Sequence, residues 1–484
     1  MVHKIEDLVE PFKADLNSIN ENLLTQPFVI NKDNSKEGKN AFHHEKVMDF
    51  QYENCSNKYV IDQEDKVGFY TRQYFHYYRM RVEHFYPKIV ENAKAMISDY
   101  IEPVSLGEVS GGKKCLVIGC LIKRMQNRMA VLKDFDKQNK EELEIRMERE
   151  ENMETLALDT DYLELEDSLR QKVTLKGNVD HYKYVTGLAV GIYGIQEDNY
   201  FNVEKMIMPV LPPYIERPLL EKDVFVNTSI NNVMPIGLSL DADKNGSALA
   251  ATSNIRRYFP HLDIDMMPGE TDPTSLMLPQ QPLSKTLFED PDLSMDEKEF
   301  DEEEMKENFD TKFESFEVES ESISENFAAS DYWLTGSSGL CPGPKRSINP
   351  VTNPYCFKIM GVEFHGTSGQ NVNAFRKLTK KGKSTIEIMR DIIETGIIIP
   401  TAPDFTDCFP YNRQDGIDPL ALDHLPHVFF AGNQKEFSAE MVDFGNNQKV
   451  CLISIPKYEE SHSMVAINLR TFKISKIICN HRAI

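Results

Sequence analysis

MMPGETDPTSLMLPQQPL, residues 266–283, joins the signals of a strand end to those of a structured loop. It follows the alternating segment Leu262-Asp263-Ile264-Asp265-Met266 and carries two turn-forming pairs, Pro268-Gly269 and Asp272-Pro273. Alternation that ends in such pairs predicts a buried strand giving way to a structured loop, with a positive-φ bend at Gly269. Loops at strand ends are where folds keep their sites.

Composition bounds what can surround that loop. With 484 residues and 40% hydrophobic content, the chain can bury two or three cores. No apolar run approaches the length of a membrane span, and the N-terminus does not read as a signal peptide. Eight cysteines are scattered without a CxxC pair, which predicts reduced, mostly structural thiols. The net charge of −23 argues against a duplex-DNA binder, because phosphate neutralisation needs clustered Lys and Arg. Residues 289–325 hold 17 acidic and 3 basic side chains, leaving −9 for the rest of the chain. Such a segment repels itself and buries little, so it reads as an unstructured insertion.

Residues 1–65 are polar and poorly periodic, with disorder expected around 31–40. Residues 66–105 read as a helical region: within 69–100, Phe69, Tyr70, Tyr74, Tyr77, Tyr78, Phe85 and Tyr86 fall mainly at helical spacings. Next, 106–215 is strand-like, with runs at 115–124, 172–180, 188–195 and 200–208, and a charged insertion at 134–166. Short, evenly spaced strands of this kind suggest an OB-like barrel. The remainder, 216–484, reads as α/β, with an acidic insertion at 288–347. Within it, 223–226 and 356–364 read as strands, 384–395 as an amphipathic helix, 427–431 and 450–456 as buried strands, and 464–478 as a hairpin.

Several motifs invite a chemical reading and do not sustain it. Gly107 to Lys114 spells GxxxxGK, but Lys114 stands where Ser or Thr should hold magnesium, and the motif leads into a strand rather than a helix. Residues 241–246 match half of a calcium loop, yet the twelfth position is Thr252, so a turn is expected. Ser368 lies in His365-Gly-Thr-Ser-Gly369, which lacks the spacing of a nucleophile elbow. Pro426 breaks any helix that would aim His424 and His427 at one metal. On the barrel, Tyr182, Tyr184, Tyr193 and Tyr200, with Lys113, Lys114, Lys123, Arg124, Arg128 and Lys133, could form a single-strand-binding face. The commoner use of such a barrel is packing against neighbouring domains.

MPGE-x-DPT and LPQQPL are followed in order by VTNPY (351–355), GTSGQNV (366–372), TAPD (401–404) and PHVFFAGN (426–433). With Leu165-Glu166-Asp167 and Thr174-Leu175-Lys176-Gly177 in the barrel segment, this series resembles the small (B) subunits of the eukaryotic replicative DNA polymerases. The TSGQNV and LPQQPL cassettes favour the delta type over alpha and epsilon. The resemblance implies an α+β multi-domain fold: an N-terminal helical region, an OB-fold barrel and an inactive calcineurin-like phosphoesterase α/β sandwich. It also implies a nuclear, non-catalytic accessory subunit acting in replication and repair synthesis. The implied partners are the polymerase delta catalytic subunit, through its cysteine-rich C-terminal domain, and a further accessory subunit. DNA would be touched weakly or indirectly, with no cofactor and no membrane.

The competing reading is a metal-dependent phosphodiesterase or nuclease of the same fold. Two-metal hydrolysis in that fold uses DxH, GD, GNH(D/E), a lone His and GHxH at successive strand ends, because each metal must hold an attacking or leaving oxygen. This chain has no DxH and no Gly-Asp pair, Pro268-Gly269-Glu270 stands where GNH would be, and Ala431-Gly432-Asn433-Gln434 offers no GHxH. Gly269, Glu270, Asp272, Gly366, Ser368, Gly369, Asn371, Gly432 and Asn433 are therefore expected to mark a vestigial site edge or structural turns, with no catalytic or metal-binding residue among them.

Overall fold

A computed structural model describes residues 51–61, 73–109, 111–128, 153–221, 224–228, 264–284, 348–410, 418–461 and 463–478. The expectations for 31–40, 69, 70, 133, 134–152, 241–246 and 289–325 lie outside the described residues.

Helix α1 (Phe75–Met96) buries Tyr77, Met80, Arg81, Phe85, Ile89 and Ala93, a stripe at three- and four-residue spacing. That stripe packs on a barrel built from β2 (Lys114–Arg124), β3 (Tyr162–Glu166), β4 (Lys172–Gly177), β5 (Ala189–Gln196) and β6 (Tyr200–Ile207). The barrel closes in the order β2-β3-β4-β6-β5, with β4 and β6 parallel and the other neighbours antiparallel. Closure removes the exposed strand edges that make sheets prone to pair with other chains. The GxxxxGK segment runs into β2, so no helix N-terminus faces it. The charged insertion read over 134–166 ends sooner than expected, because 162–166 is β3. The acidic residues of YLELE face outward, while Leu163 and Leu165 alternate into the core.

The rest of the described chain builds two main sheets. The larger has the order β1-β10-β11-β12-β14-β13: β1 (Tyr52–Asn54), β10 (Tyr355–Ile359), β11 (Val362–Thr367), β12 (Val428–Gln434), β14 (Lys449–Pro456) and β13 (Ser438–Asp443). Its three neighbours β11, β12 and β14 are parallel. The smaller sheet pairs β16 (Ile474–Ile478) and β7 (Phe225–Thr228) with β15 (Ser463–Asn468). A separate parallel pair, β8 (Ile264–Met266) and β9 (Ile348–Pro350), leads into the MPGE and VTNPY cassettes. Phe357, Phe364, Phe430 and Ile453 of the larger sheet share one core with Val465 and Ile467 of the smaller. The opposite face buries Phe429, Val450 and Leu452 against helices α2 (Gln370–Leu378) and α3 (Thr385–Glu394). Strands covered on both faces carry the near-continuous apolar runs that marked them in the sequence. Helix α3 begins on a capping box, in which Ser384 Oγ accepts from the Glu387 N–H and the Glu387 carboxylate accepts from the Ser384 N–H.

Two departures concern strands. The single strand expected over 356–364 is a hairpin, because Met360 (φ 51°) and Gly361 (φ 78°) both adopt the left-handed backbone of a two-residue turn. Residues 51–61, assigned no element from sequence, supply the edge strand β1 and the buried Tyr59 and Ile61.

The barrel and the α/β unit are tied by named bonds. Thr155 Oγ1 donates to Thr379 O at 2.6 Å, and the Leu156 N–H to Lys377 O at 2.7 Å. Lys183 pairs with Glu394 at 2.8 Å, and Arg128 pairs with Asp404.

Candidate functional site

The cassettes converge where β11 and β12 end. The edge of a sheet beyond the carboxyl ends of its parallel strands is where α/β folds place ligand sites. At this edge the chain has built a lattice of neutral amides. Asn353 Nδ2 lies 2.8 Å from Gln280 Oε1, 2.6 Å from Ser368 Oγ and 2.7 Å from Gln370 Oε1, while Asn353 Oδ1 accepts from the Ser368 N–H at 3.1 Å. Gln280, fully buried, donates through Nε2 to Gly269 O at 2.9 Å and Ser275 O at 3.1 Å. Its backbone exchanges two hydrogen bonds with that of Asn353. Gln370 Nε2 closes the ring on Gln280 Oε1 at 3.0 Å. Buried polar groups are tolerated when their donors and acceptors are matched in this way.

The backbone around the lattice is shaped to fit it. Gly369 caps α2 with φ 100°, and a Cβ there would lie 2.0 Å from the carbonyl oxygen of Gly432. Asn433 (φ 52°) donates to Ser368 O at 3.0 Å, so the ends of β11 and β12 are bolted together. Asn371 accepts from Thr367 Oγ1 and donates to Ile398 O at 2.7 Å. Gly366 and Gly432 lie inside β11 and β12 rather than in turns, and Gly366 makes room for the ring of Phe430. Gly269 does not adopt the expected positive φ. The bend is made instead by Asp272, whose Oδ2 accepts from the Gly269 N–H at 2.7 Å.

Of the residues picked out from sequence, Gly269, Asp272, Ser368, Gly369, Asn371, Gly432 and Asn433 belong to this edge, and Gly366 lies just beneath it. Glu270 does not join them; it is exposed. Gln280, Asn353 and Gln370, which carry the lattice, lie inside the cassettes without standing out there as site residues. Their amides gave no signal in sequence, since a buried Gln or Asn reads like any polar loop residue.

Chemically, the edge can hold and orient, and it has little with which to transfer protons. Carboxamides do not titrate near neutrality and are weak ligands for divalent cations compared with carboxylate and imidazole. Asp272 is buried, its Oδ1 has no partner among the described residues, and burial pushes its carboxyl up from the usual range. Ser368 does stand between a strand and a helix, as a nucleophile would, but its hydroxyl bonds to Asn353 and Gln370, not to a histidine. His365 is buried two residues before the end of β11, against Cys356 and Glu363. His427 is held between the Glu363 N–H and Ile215 O, both at 2.8 Å.

The barrel's candidate nucleic-acid face is largely committed elsewhere. Lys114 pairs with Glu204 and Arg124 with Glu164. Lys123 is buried and donates to Leu378 O, and Arg128 serves Asp404. Tyr184 and Tyr193 are buried, Tyr182 bonds Asp159, and Tyr200 bonds Glu197. Lys113 remains exposed. Most of these side chains are thus engaged in packing or local pairs. No described helix is long and apolar enough to cross a membrane.

Two family models match the chain: the DNA polymerase delta subunit OB-fold domain over residues 73–206, and the B subunit of DNA polymerase alpha/epsilon over residues 225–439. The chain is 25% identical over 490 residues to the DNA polymerase delta small subunit of Oryza sativa subsp. japonica, covering 88% of this chain and 97% of that protein. The DNA polymerase delta small subunit of Arabidopsis thaliana is 26% identical over 423 residues, covering 75% and 81% respectively. The corresponding protein of Saccharomyces cerevisiae is 22% identical over 513 residues, covering 89% and 94%.

Proposed function

We propose that this chain, which belongs to the DNA polymerase alpha/delta/epsilon B-subunit family, is a non-catalytic accessory subunit of DNA polymerase delta that acts in the nucleus. The observation that carries this reading is the amide lattice at the strand ends. An enzyme of the calcineurin-like phosphoesterase type would need carboxylates and imidazoles there, converging on two metals. Gln280, Asn353, Gln370 and Ser368 fill that edge with matched neutral hydrogen bonds instead. The two facing sheets are the remnant of such a sandwich, and the edge has become structure.

A subunit of this kind works by presenting rigid surfaces. The helix, the barrel and the α/β unit are joined by buried bonds, which suits a scaffold that holds the catalytic subunit's cysteine-rich C-terminal domain on one side and a further accessory subunit on another. DNA contact by the barrel would be weak or indirect.

The test is reconstitution. Co-expressed with the polymerase delta catalytic subunit, the chain should copurify through that subunit's C-terminal domain. Purified alone, it should show no manganese-dependent cleavage of single-stranded DNA or of a phosphodiester reporter. Cleavage abolished by Asp272→Asn would reinstate the phosphoesterase reading, and failure to copurify would remove the scaffold reading.

A further inference from the structure

Away from the strand-end edge, four potential metal-ligating side chains meet on one row of the larger sheet. Cys356 of β10 and His365 of β11 are direct cross-strand partners, and Glu363 lies two residues before His365, on the same face. Cys55 follows β1 immediately and donates its N–H to Cys356 O at 2.8 Å, which puts it opposite Cys356 on the other side. Cys356 Sγ lies 2.9 Å from His365 Nε2, and Glu363 Oε1 lies 3.0 Å from the same nitrogen. Cys55 continues the β1–β10 register opposite Cys356, with its sulfur outside the close group that the other three side chains form. Cys356, Glu363 and His365 are the one group of three or more His, Cys, Asp or Glu side chains among the described residues with the spacing to hold a metal ion.

Without an ion this cluster is poorly matched. One imidazole nitrogen faces both a sulfur and a carboxylate oxygen, and it has a single proton or a single lone pair to offer them. The other nitrogen, His365 Nδ1, is buried without a partner among the described residues. We infer that Cys55, Cys356, Glu363 and His365 form a structural zinc site that pins the segment 51–61 to the sheet.

The chemistry of the donors fits the ion. Two sulfurs, one imidazole and one carboxylate are all common zinc ligands, with bonds of roughly 2.0–2.3 Å, so neighbouring ligand atoms in a tetrahedron stand roughly 3.3–3.8 Å apart. The contacts among Cys356, Glu363 and His365 would open by a few tenths of an ångström, and the Cys55 thiol would turn in from beside them to complete the four. Binding replaces two thiol protons, released to water, with one Zn2+. The resulting charge of −1 is offset by Lys358, whose Nζ is 3.6 Å from Glu363 Oε2. The site would also explain why so short a strand as β1 stays docked: its hydrogen bonds to β10 would be backed by a metal–thiolate bond from the next residue.

The full-length chain, purified without chelator from zinc-supplemented cells, should carry about one zinc per chain by elemental analysis. Replacement by Co2+ should give the intense visible bands of a tetrahedral site, with a thiolate charge-transfer band in the near ultraviolet. Cys55→Ser, at the sheet edge where folding is least at risk, should lose about half of that charge-transfer intensity, because one of two thiolates is gone. Glu363→Gln should keep that band but weaken Co2+ binding at least roughly tenfold. A wild-type chain that takes up neither metal overturns the inference. So does a Cys55→Ser chain whose Co2+ spectrum and affinity match the wild type.

Discussion

Arg81 and Asp418 meet at 2.9 Å inside the protein, and neither side chain reaches solvent. The same guanidinium donates to Gly187 O in the barrel and to Ala402 O in the α/β unit, both at 3.0 Å. Burial works against the charge on Arg81, but the Asp418 carboxylate together with the neighbouring groups outweighs it, so the cation stays charged where it is buried. One side chain of α1 thus joins all three parts of the molecule.

Removing one partner of a buried pair strands the other. Arg81→Ala should cost about 3–5 kcal/mol in urea unfolding. In a double-mutant cycle with Asp418→Leu, the paired change should cost clearly less than the sum of the single changes. Additive costs would mean that the two side chains are not coupled.

Lys123 makes a pH-dependent contribution. Burial lowers its pKa from 10.5 to about 8, so the folded state sheds a proton that the unfolded chain keeps. Below about pH 8 the charged, desolvated amine counts against the fold, and that penalty is relieved as pH rises from about 8 towards 10.5. Lys123→Met should therefore be the more stable protein at pH 7, by on the order of 1–3 kcal/mol. The gap should close by about pH 10.5 in paired melts, and a gap that widened with pH would contradict the burial of this amine.

Two glycines separate backbone conformation from crowding. Gly369 (φ 100°) faces a carbonyl at 2.0 Å from any added Cβ, whereas Gly382 (φ 88°) has open space around it. Gly382→Ala should cost only the left-handed penalty, about 1 kcal/mol. Gly369→Ala should cost about 2–4 kcal/mol, because the ends of β11 and β12 must also separate. Equal costs in urea unfolding would remove the close approach.

The amide lattice can be tested by unmatching it. Gln280→Leu takes the side-chain partner from Ser275 O and from Gln370 Nε2, removes one bond each from Gly269 O and Asn353 Nδ2, and should lower stability by about 2–4 kcal/mol. Asn353→Asp would point a carboxylate at the acceptor oxygens of Gln280 and Gln370 and should be at least as costly. Neither change should create metal-dependent hydrolysis in the reporter assay.

Much of the fold was legible because its signals were local. The apolar runs at 115–124, 188–195 and 450–456 and the amphipathic spacing over 384–395 each fixed an element with no help from distant residues. The missed elements were those whose evidence lies elsewhere in the chain. Strand β1 is polar and three residues long, and it is a strand because residues 357–359 pair with it. Helix α2 buries Val372, Phe375 and Leu378, but the Ser-Gly before it reads as a loop until Gly369 is seen capping the helix from a left-handed conformation. The candidate edge was legible as a place and not as a set of bonds. Its cassettes carry the right residues, and nothing in them says that Asn353 reaches Gln280, Ser368 and Gln370 together.

The strand pairings set an order in which the molecule can assemble as it is made. All pairings of the barrel fall between residues 114 and 207, so it can close while the second half of the chain is still unsynthesised. The larger sheet cannot: β1 waits for β10 about 300 residues later. Strand β7 likewise waits for β15 at 463–468, about 240 residues later. A ribosome that stops before residue 463 therefore releases a finished barrel joined to an open sheet, whose unpaired strand edges and apolar faces are what chaperones and proteases recognise.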